Sequence, residues 1–177
     1  DLAYASQESK FATPGVNIGL FCSTPMVALS RTVNKKSAME MLLTGELIDA
    51  KKAYQIGLIN NYYKSNQLLK EVFNVAEKIS SKSMETVKIG KKAFYNQREM
   101  SLEDAYKYTS SVMVENILKE DSKEGINAFL EKRKPNWECW FLKKGYIINK
   151  ICLKISRIQK LKLDQIEHLE IFLELFL

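Results

Sequence analysis

Any chemistry that needs an imidazole has one residue to use in this chain, His168, and any that needs a thiol has three, Cys22, Cys139 and Cys152. Structural zinc sites take their ligands as closely spaced Cys and His pairs. The cysteines form no CxxC pair, and with one histidine a His-rich zinc site is excluded. A Ser/His/Asp triad would have to be built on His168 alone. The cysteine count is odd and no secretory signal is visible, so buried or free thiols are expected rather than a disulfide framework. The densest cationic cluster is Lys132-Arg133-Lys134, just before Pro135. Read by itself, it is a solvated helix end favoured by the helix dipole. Gly15, directly after Pro14, reads as a turn residue, since glycine admits the positive φ that such turns often require.

The elements that must position these residues are set by spacing. Residues 1–5 read as the end of a strand. Residues 10–20 read as a strand running into a loop, because Pro14, Gly15 and Gly19 block regular helix. Between 24 and 43 the apolar residues fall in two short helical patterns, with Asn34 as the turn between them. Thr44-Gly45-Glu46 makes a turn, Asp49 caps a short helix carrying Ala50, Ala53 and Tyr54, and Gly57 stops it. An amphipathic helix is predicted over 65–82, with Leu68, Leu69, Val72, Val75, Ala76 and Ile79 on one stripe. Further helices are predicted over 84–97, 102–119 and 123–133, the last stopped by Pro135. The helix over 102–119 is expected to turn Leu102, Ala105, Tyr106, Thr109, Val112, Met113 and Leu118 inward as core.

With 177 residues, 46% hydrophobic and 27% charged, the chain has the composition of a globular domain plus an appendage, which excludes disordered and collagen-like classes. The net charge of +6 comes from scattered lysines and not from one tract, so no nucleic-acid partner is expected. No run of 18 uncharged apolar residues exists, so no membrane-spanning helix is expected. The chain opens on Asp1 without a Met, and is read as processed or as a fragment. After Trp137 the character changes. Ile147, Ile151, Ile155 and Ile158 recur among lysines, the pattern either of a tail that touches a membrane surface or a partner helix or of readthrough into non-coding sequence. The organisation expected is therefore 1–64, 65–138, and an atypical amphipathic tail over 139–177.

Three segments, in order, carry a resemblance: residues 1–6 (DLAYAS) with 11–19 (FATPGVNIG); residues 42–50 (LLTGELIDA) running on to Ala53 and Gly57-Leu58-Ile59; and residues 123–135 (KEGINAFLEKRKP). Together they resemble the C-terminal half of the crotonase, or enoyl-CoA hydratase/isomerase, superfamily. The continuation Phe21-Cys22-Ser23-Thr24-Pro25 is similar to one branch of it. The resemblance implies an α/β fold: a partial crotonase-like ββα spiral followed by a helical trimerisation region. It also implies a coenzyme A thioester as substrate or ligand, no separate cofactor, acyl-CoA as the small-molecule partner, a homotrimer or hexamer, and a mitochondrial location.

For the site, the resemblance implies two backbone N–H donors for the thioester oxygen and a first catalytic carboxylate, all placed before Asp1. The second carboxylate should come directly after Pro14, and there the chain has Gly15. Loss of a general acid or base costs about 10²–10⁴ in rate. Glu8 stands too far back along the strand to replace it. No catalytic residue is therefore assigned within the chain. The family's aromatic and lysine near the adenine and 3′-phosphate match Phe129 and Lys132, the lysine offering a charge-assisted contact to phosphate. The function expected on these grounds is that of an enoyl-CoA hydratase-like protein of fatty-acid metabolism, of the lyase family, with weak or no hydratase activity. The alternatives are an active crotonase-family lyase or thioesterase using upstream residues, and a non-enzymatic oligomerisation module.

Overall fold

Four side chains mark where helices begin. Asn34 accepts a hydrogen bond from the Ser37 N–H at 2.9 Å, Asp49 from Lys52 at 2.7 Å, Ser83 from Thr86 at 3.1 Å and Ser101 from Asp104 at 3.2 Å. Each satisfies an N–H that the first helical turn leaves without a partner. The computed structural model describes residues 1–137, so the tail expected over 139–177 lies outside it. The described residues divide into two compact units, Asp1–Asn74 and a second that begins at Val75.

In the first unit, β1 (Tyr4–Ser6) pairs in parallel with β4 (Asn61–Tyr63), Tyr4 facing Asn61. Strand β2 (Lys10–Phe11) pairs antiparallel with β3 (Ile48–Asp49). Parallel strands need a long crossover, and this one carries α1 (Ser23–Thr32), α2 (Lys35–Thr44) and α3 (Ala50–Gln55). Val33 is extended and Asn34 starts α2, so the two expected helical patterns are two helices. The expectation of loop after β2 is corrected: Pro14–Ile18 is a 3₁₀ helix. Proline at its first position presets φ and needs no N–H there, which admits a short tight turn where a longer helix is blocked.

That 3₁₀ turn docks on the end of α2. Thr13 Oγ1 donates to the Met41 carbonyl at 2.8 Å. Gly45 ends α2 at φ +62, and a Cβ on it would stand 3.0 Å from both Asn17 and Val16. Two clusters make the core: Leu29, Val33, Ala38, Met41 and Leu42 under α1 and α2, and Ala5, Ala50, Ala53 and Ile59 between sheet and α3. Phe11, Ile48 and Leu58 touch both clusters and so join them.

Helix α4 (Ser65–Ser80) runs across the division at Val75. The second unit holds α5 (Met84–Gln97), α6 (Leu102–Ile117) and α7 (Glu120–Leu130). The stripe expected to be the core of α6 is corrected at four of its seven members. Leu102 is 76% exposed, Tyr106 69%, and Met113 and Leu118 66% each, and no residue of α6 is fully buried. The expected stripe is borne out at Ala105, Thr109 and Val112, which are half-buried together with Tyr108 and Asn116. Helix α7 begins and ends three residues before the range predicted for it. Glu120 and Asp121 in its first turn complement the positive end of the helix dipole. No helix among the described residues is long and apolar enough to cross a membrane.

Candidate functional site

Gly15 lies in the first unit, at the second position of the 3₁₀ turn. Its carbonyl accepts from the Leu20 N–H at 2.9 Å, and its own N–H donates to Cys22 Sγ at 3.3 Å. The turn closes so tightly that a Cβ at Gly15 would stand 2.6 Å from the Leu20 carbonyl oxygen and 2.8 Å from Cys22 Sγ. The direction in which a side chain would leave position 15 is thus filled by backbone and by a thiol. Cys22 itself is free and half-buried. Glu8 is engaged elsewhere: its carboxylate accepts from Ser65 Oγ at 2.7 Å, which holds its pKa below the usual carboxylate value.

Phe129 and Lys132 lie in the second unit, around the end of α7. Helix α7 stops in a left-handed turn, with the Arg133 N–H donating to the Ala128 carbonyl at 3.0 Å and the Lys132 N–H to Phe129 at 3.2 Å. This is the six-to-one, five-to-two pattern that usually places glycine at the left-handed position. Here that residue is Lys132, at φ +53, the only described non-glycine residue with positive φ. For an L side chain such a conformation costs about 1–2 kcal/mol. The spacing places Lys132 inside the helix, and this is corrected: it lies just past the end of α7. The hydrogen-bonded turn stops the helix at Leu130, five residues before Pro135 is reached.

The segment after the turn folds back along α7. Arg133 forks onto Glu124 with contacts of 2.6 and 2.8 Å and also holds Glu131, and the Asn136 N–H donates to Glu124 at 2.6 Å. The Trp137 ring covers Gly125, where a Cβ would come within 3.2 Å of it, and its indole N–H donates to the Ser81 carbonyl at 2.9 Å. Beside it an open groove of about 660 Å³ is walled by Val87, Met113, Ile117, Ile126, Phe129 and Trp137. Ser83 and Asp121, both buried, line it as a hydrogen-bonded pair. Phe129 is 82% exposed.

The Arg133 guanidinium and then the Asn136 N–H hold the Glu124 carboxyl down to about 2. A carboxyl whose folded pKa lies below its ordinary value stabilises the fold above that ordinary value and loses the contribution as pH falls through the folded one. The chain has two tryptophans, Trp137 and Trp140. In a Trp140→Phe background, Trp137 fluorescence is expected to hold steady through the ordinary carboxylate range and to change with a midpoint near 2. A midpoint in the ordinary range would show Glu124 unclasped. No group of three or more His, Cys, Asp or Glu among the described residues is placed to hold a metal.

The family model described as Enoyl-CoA hydratase/isomerase matches residues 1–139, and the chain belongs to that family. Its fold is the partial crotonase-like α/β arrangement. Within the family it is similar to mouse Enoyl-CoA hydratase domain-containing protein 3, mitochondrial, with 52% identity over 137 residues, covering 77% of this chain and 46% of the mouse protein. The crystal structure of human enoyl Coenzyme A hydratase domain-containing protein 3 superposes with a TM-score of 0.74 at 51% identity, over 77% of this chain and 54% of that one. An enoyl-CoA hydratase structure from Mycobacterium smegmatis gives 0.75 at 44% identity, over 77% and 53%. The chain thus spans about half the length of these relatives.

Proposed function

We propose that the protein is an enoyl-CoA hydratase-like acyl-CoA-binding protein of fatty-acid metabolism, with weak or no hydratase activity. The observation that carries this is the turn at Gly15. The family resemblance asks for a carboxylate directly after Pro14, and the space a side chain would take there is occupied by the Leu20 carbonyl and Cys22 Sγ. Without that acid, hydration loses about 10²–10⁴ in rate. A coenzyme A thioester is the substrate or ligand. Phe129 offers an exposed ring to the adenine, and Lys132 an ammonium to the 3′-phosphate. The mitochondrial location rests on the names of the relatives.

A second reading, a homotrimer or hexamer built on the helical region, is favoured by α6. Leu102, Tyr106 and Val114 on it, and Leu118 at its cap, are each more than half exposed, as are Met113 and Ile117 in the wall of the groove. Exposed apolar surface, where it forms a patch, marks an interaction site.

The test is acyl-CoA binding by calorimetry on the complete gene product, with crotonyl-CoA hydration run alongside. Lys132→Ala is expected to weaken binding about tenfold, the value of a charge-assisted hydrogen bond at a partly exposed site. Hydration is expected to be at least ~10² slower than in a working hydratase. Robust hydration by the wild type would overturn the reading of Gly15.

A further inference from the structure

Hydrogen bonding alone does not account for the residue at the turn after α7. Glycine fits a left-handed helix end without strain, yet this chain places lysine there and holds it at φ +53. A residue kept in a disfavoured backbone conformation is held by its surroundings, and the surroundings are specific. Arg133, the next residue, forks onto Glu124 nine positions back, and its Nε also engages Glu131. Glu124 accepts in addition from the Asn136 N–H, so the chain is pinned on the far side of Lys132 as well. On the near side, the Lys132 N–H is bonded to the Phe129 carbonyl.

The same network decides what the ammonium group can reach. Glu131 and Glu124 are the carboxylates bordering the turn, and Arg133 occupies both. Among the described residues Lys132 has no ion pair, although Glu131 directly precedes it in the chain and is held by Arg133. Bidentate arginine on a carboxylate is stronger and more directional than a single lysine contact. The arginine therefore wins both carboxylates, and the lysine is left uncommitted one turn from the exposed Phe129 ring.

We infer that Glu124 and Arg133 are positioning residues for Lys132, fixing it in the left-handed turn and keeping the neighbouring carboxylates from neutralising it, so that its ammonium serves the terminal phosphomonoester of coenzyme A. This rests on the acyl-CoA reading above. Neither positioning residue touches the ligand.

The experiment compares binding of coenzyme A and 3′-dephospho-coenzyme A to the complete gene product, with melting temperature recorded for each variant. Wild type is expected to favour the phosphorylated ligand about tenfold, and Lys132→Ala to lose that preference. Glu124→Gln and Arg133→Gln retain Lys132, and each is expected to reduce the preference at least threefold, by roughly half a tenfold contact on a logarithmic scale, with dephospho-coenzyme A affinity unchanged. Using two variants keeps the test decisive where one fails to fold. Lys132→Gly is expected to melt a few degrees above Lys132→Ala, since both lack the ammonium and only alanine keeps the strain. If Lys132→Ala loses the preference while both glutamine variants keep it in full, the positioning role is overturned and the acyl-CoA reading stands. If wild type shows no preference, or Lys132→Ala keeps it, the assignment of Lys132 to the phosphate falls and the inference falls with it.

Discussion

Gly15→Ala is expected to destabilise the protein by about 1–3 kcal/mol, the range for forcing extra atoms into a closed site. The added Cβ would stand 2.6 Å from the Leu20 carbonyl oxygen, a backbone atom that cannot rotate away, and 2.8 Å from Cys22 Sγ. Relief requires the 3₁₀ turn to open, breaking the 2.9 Å bond between the Leu20 N–H and the Gly15 carbonyl and the contact of the Gly15 N–H with Cys22. Gly15→Glu restores the residue type that the family resemblance places after Pro14, and is expected to cost at least as much while adding no crotonyl-CoA hydration. Denaturant melts of both variants, with the hydration assay on the glutamate variant, check this. A glutamate variant as stable as wild type would show that the turn tolerates a side chain, and one that gained hydration would show that only the acid was missing.

Leu42→Ala is expected to have the largest effect on stability of any single truncation in the first unit, about 2–5 kcal/mol. Leu42 is 1% exposed and is the largest fully buried apolar side chain among the described residues. It stands in the cluster formed by Leu29, Val33, Ala38 and Met41, against which Phe11 and Ile48 also pack. Alanine there leaves a cavity bordered by two helices and the short β2–β3 pair, none of which can close it without moving the others. Urea unfolding should show a lower midpoint with an unchanged slope. A loss under about 1 kcal/mol would mean that the site collapses freely and that the core is looser than its burial implies.

How much of the fold and the site is legible in the sequence depends on how local each signal is. Asn34, Asp49 and Ser101 are caps that act on backbone three residues away, and each begins a helix at the expected place. Helix α6 is legible in extent but only in part in orientation. The inner stripe expected from spacing joins Leu102, Tyr106 and Met113 to Ala105, Thr109 and Val112, and only the second set is half-buried. These are the smaller residues, which let neighbouring helices come close. The ends of α7 escape the sequence for another reason. Lys119 starts it without a side-chain cap, and a lysine, not a glycine, occupies the left-handed position that ends it. At the candidate site, Gly15 is readable as a turn residue, but the thiol seven positions away that fills its side-chain space is not. The clasp of Arg133 on Glu124 spans nine residues around a turn, outside the three- and four-residue spacing that helix pairing rules cover.

The parallel pairing of β1 with β4 has a bearing on the order in which the molecule acquires its structure. Its two ends are sealed by an exchange of 2.7 Å hydrogen bonds between Ala3 and Asn60, and by the Gln7 N–H on the Tyr63 carbonyl at 2.9 Å. The first of these contacts joins residues 57 positions apart. Loop-closure entropy must be met before such a contact returns any free energy, so pairings of this span form slowly, whereas helices built on near neighbours form quickly. The second unit closes over similar spans, with the Trp137 indole on the Ser81 carbonyl 56 positions away and Ser83 on Asp121 38 positions away, so each unit needs a long loop to close. Before they pair, β1 and β4 expose unpaired backbone edges, and that is when the strands are most open to pairing with others.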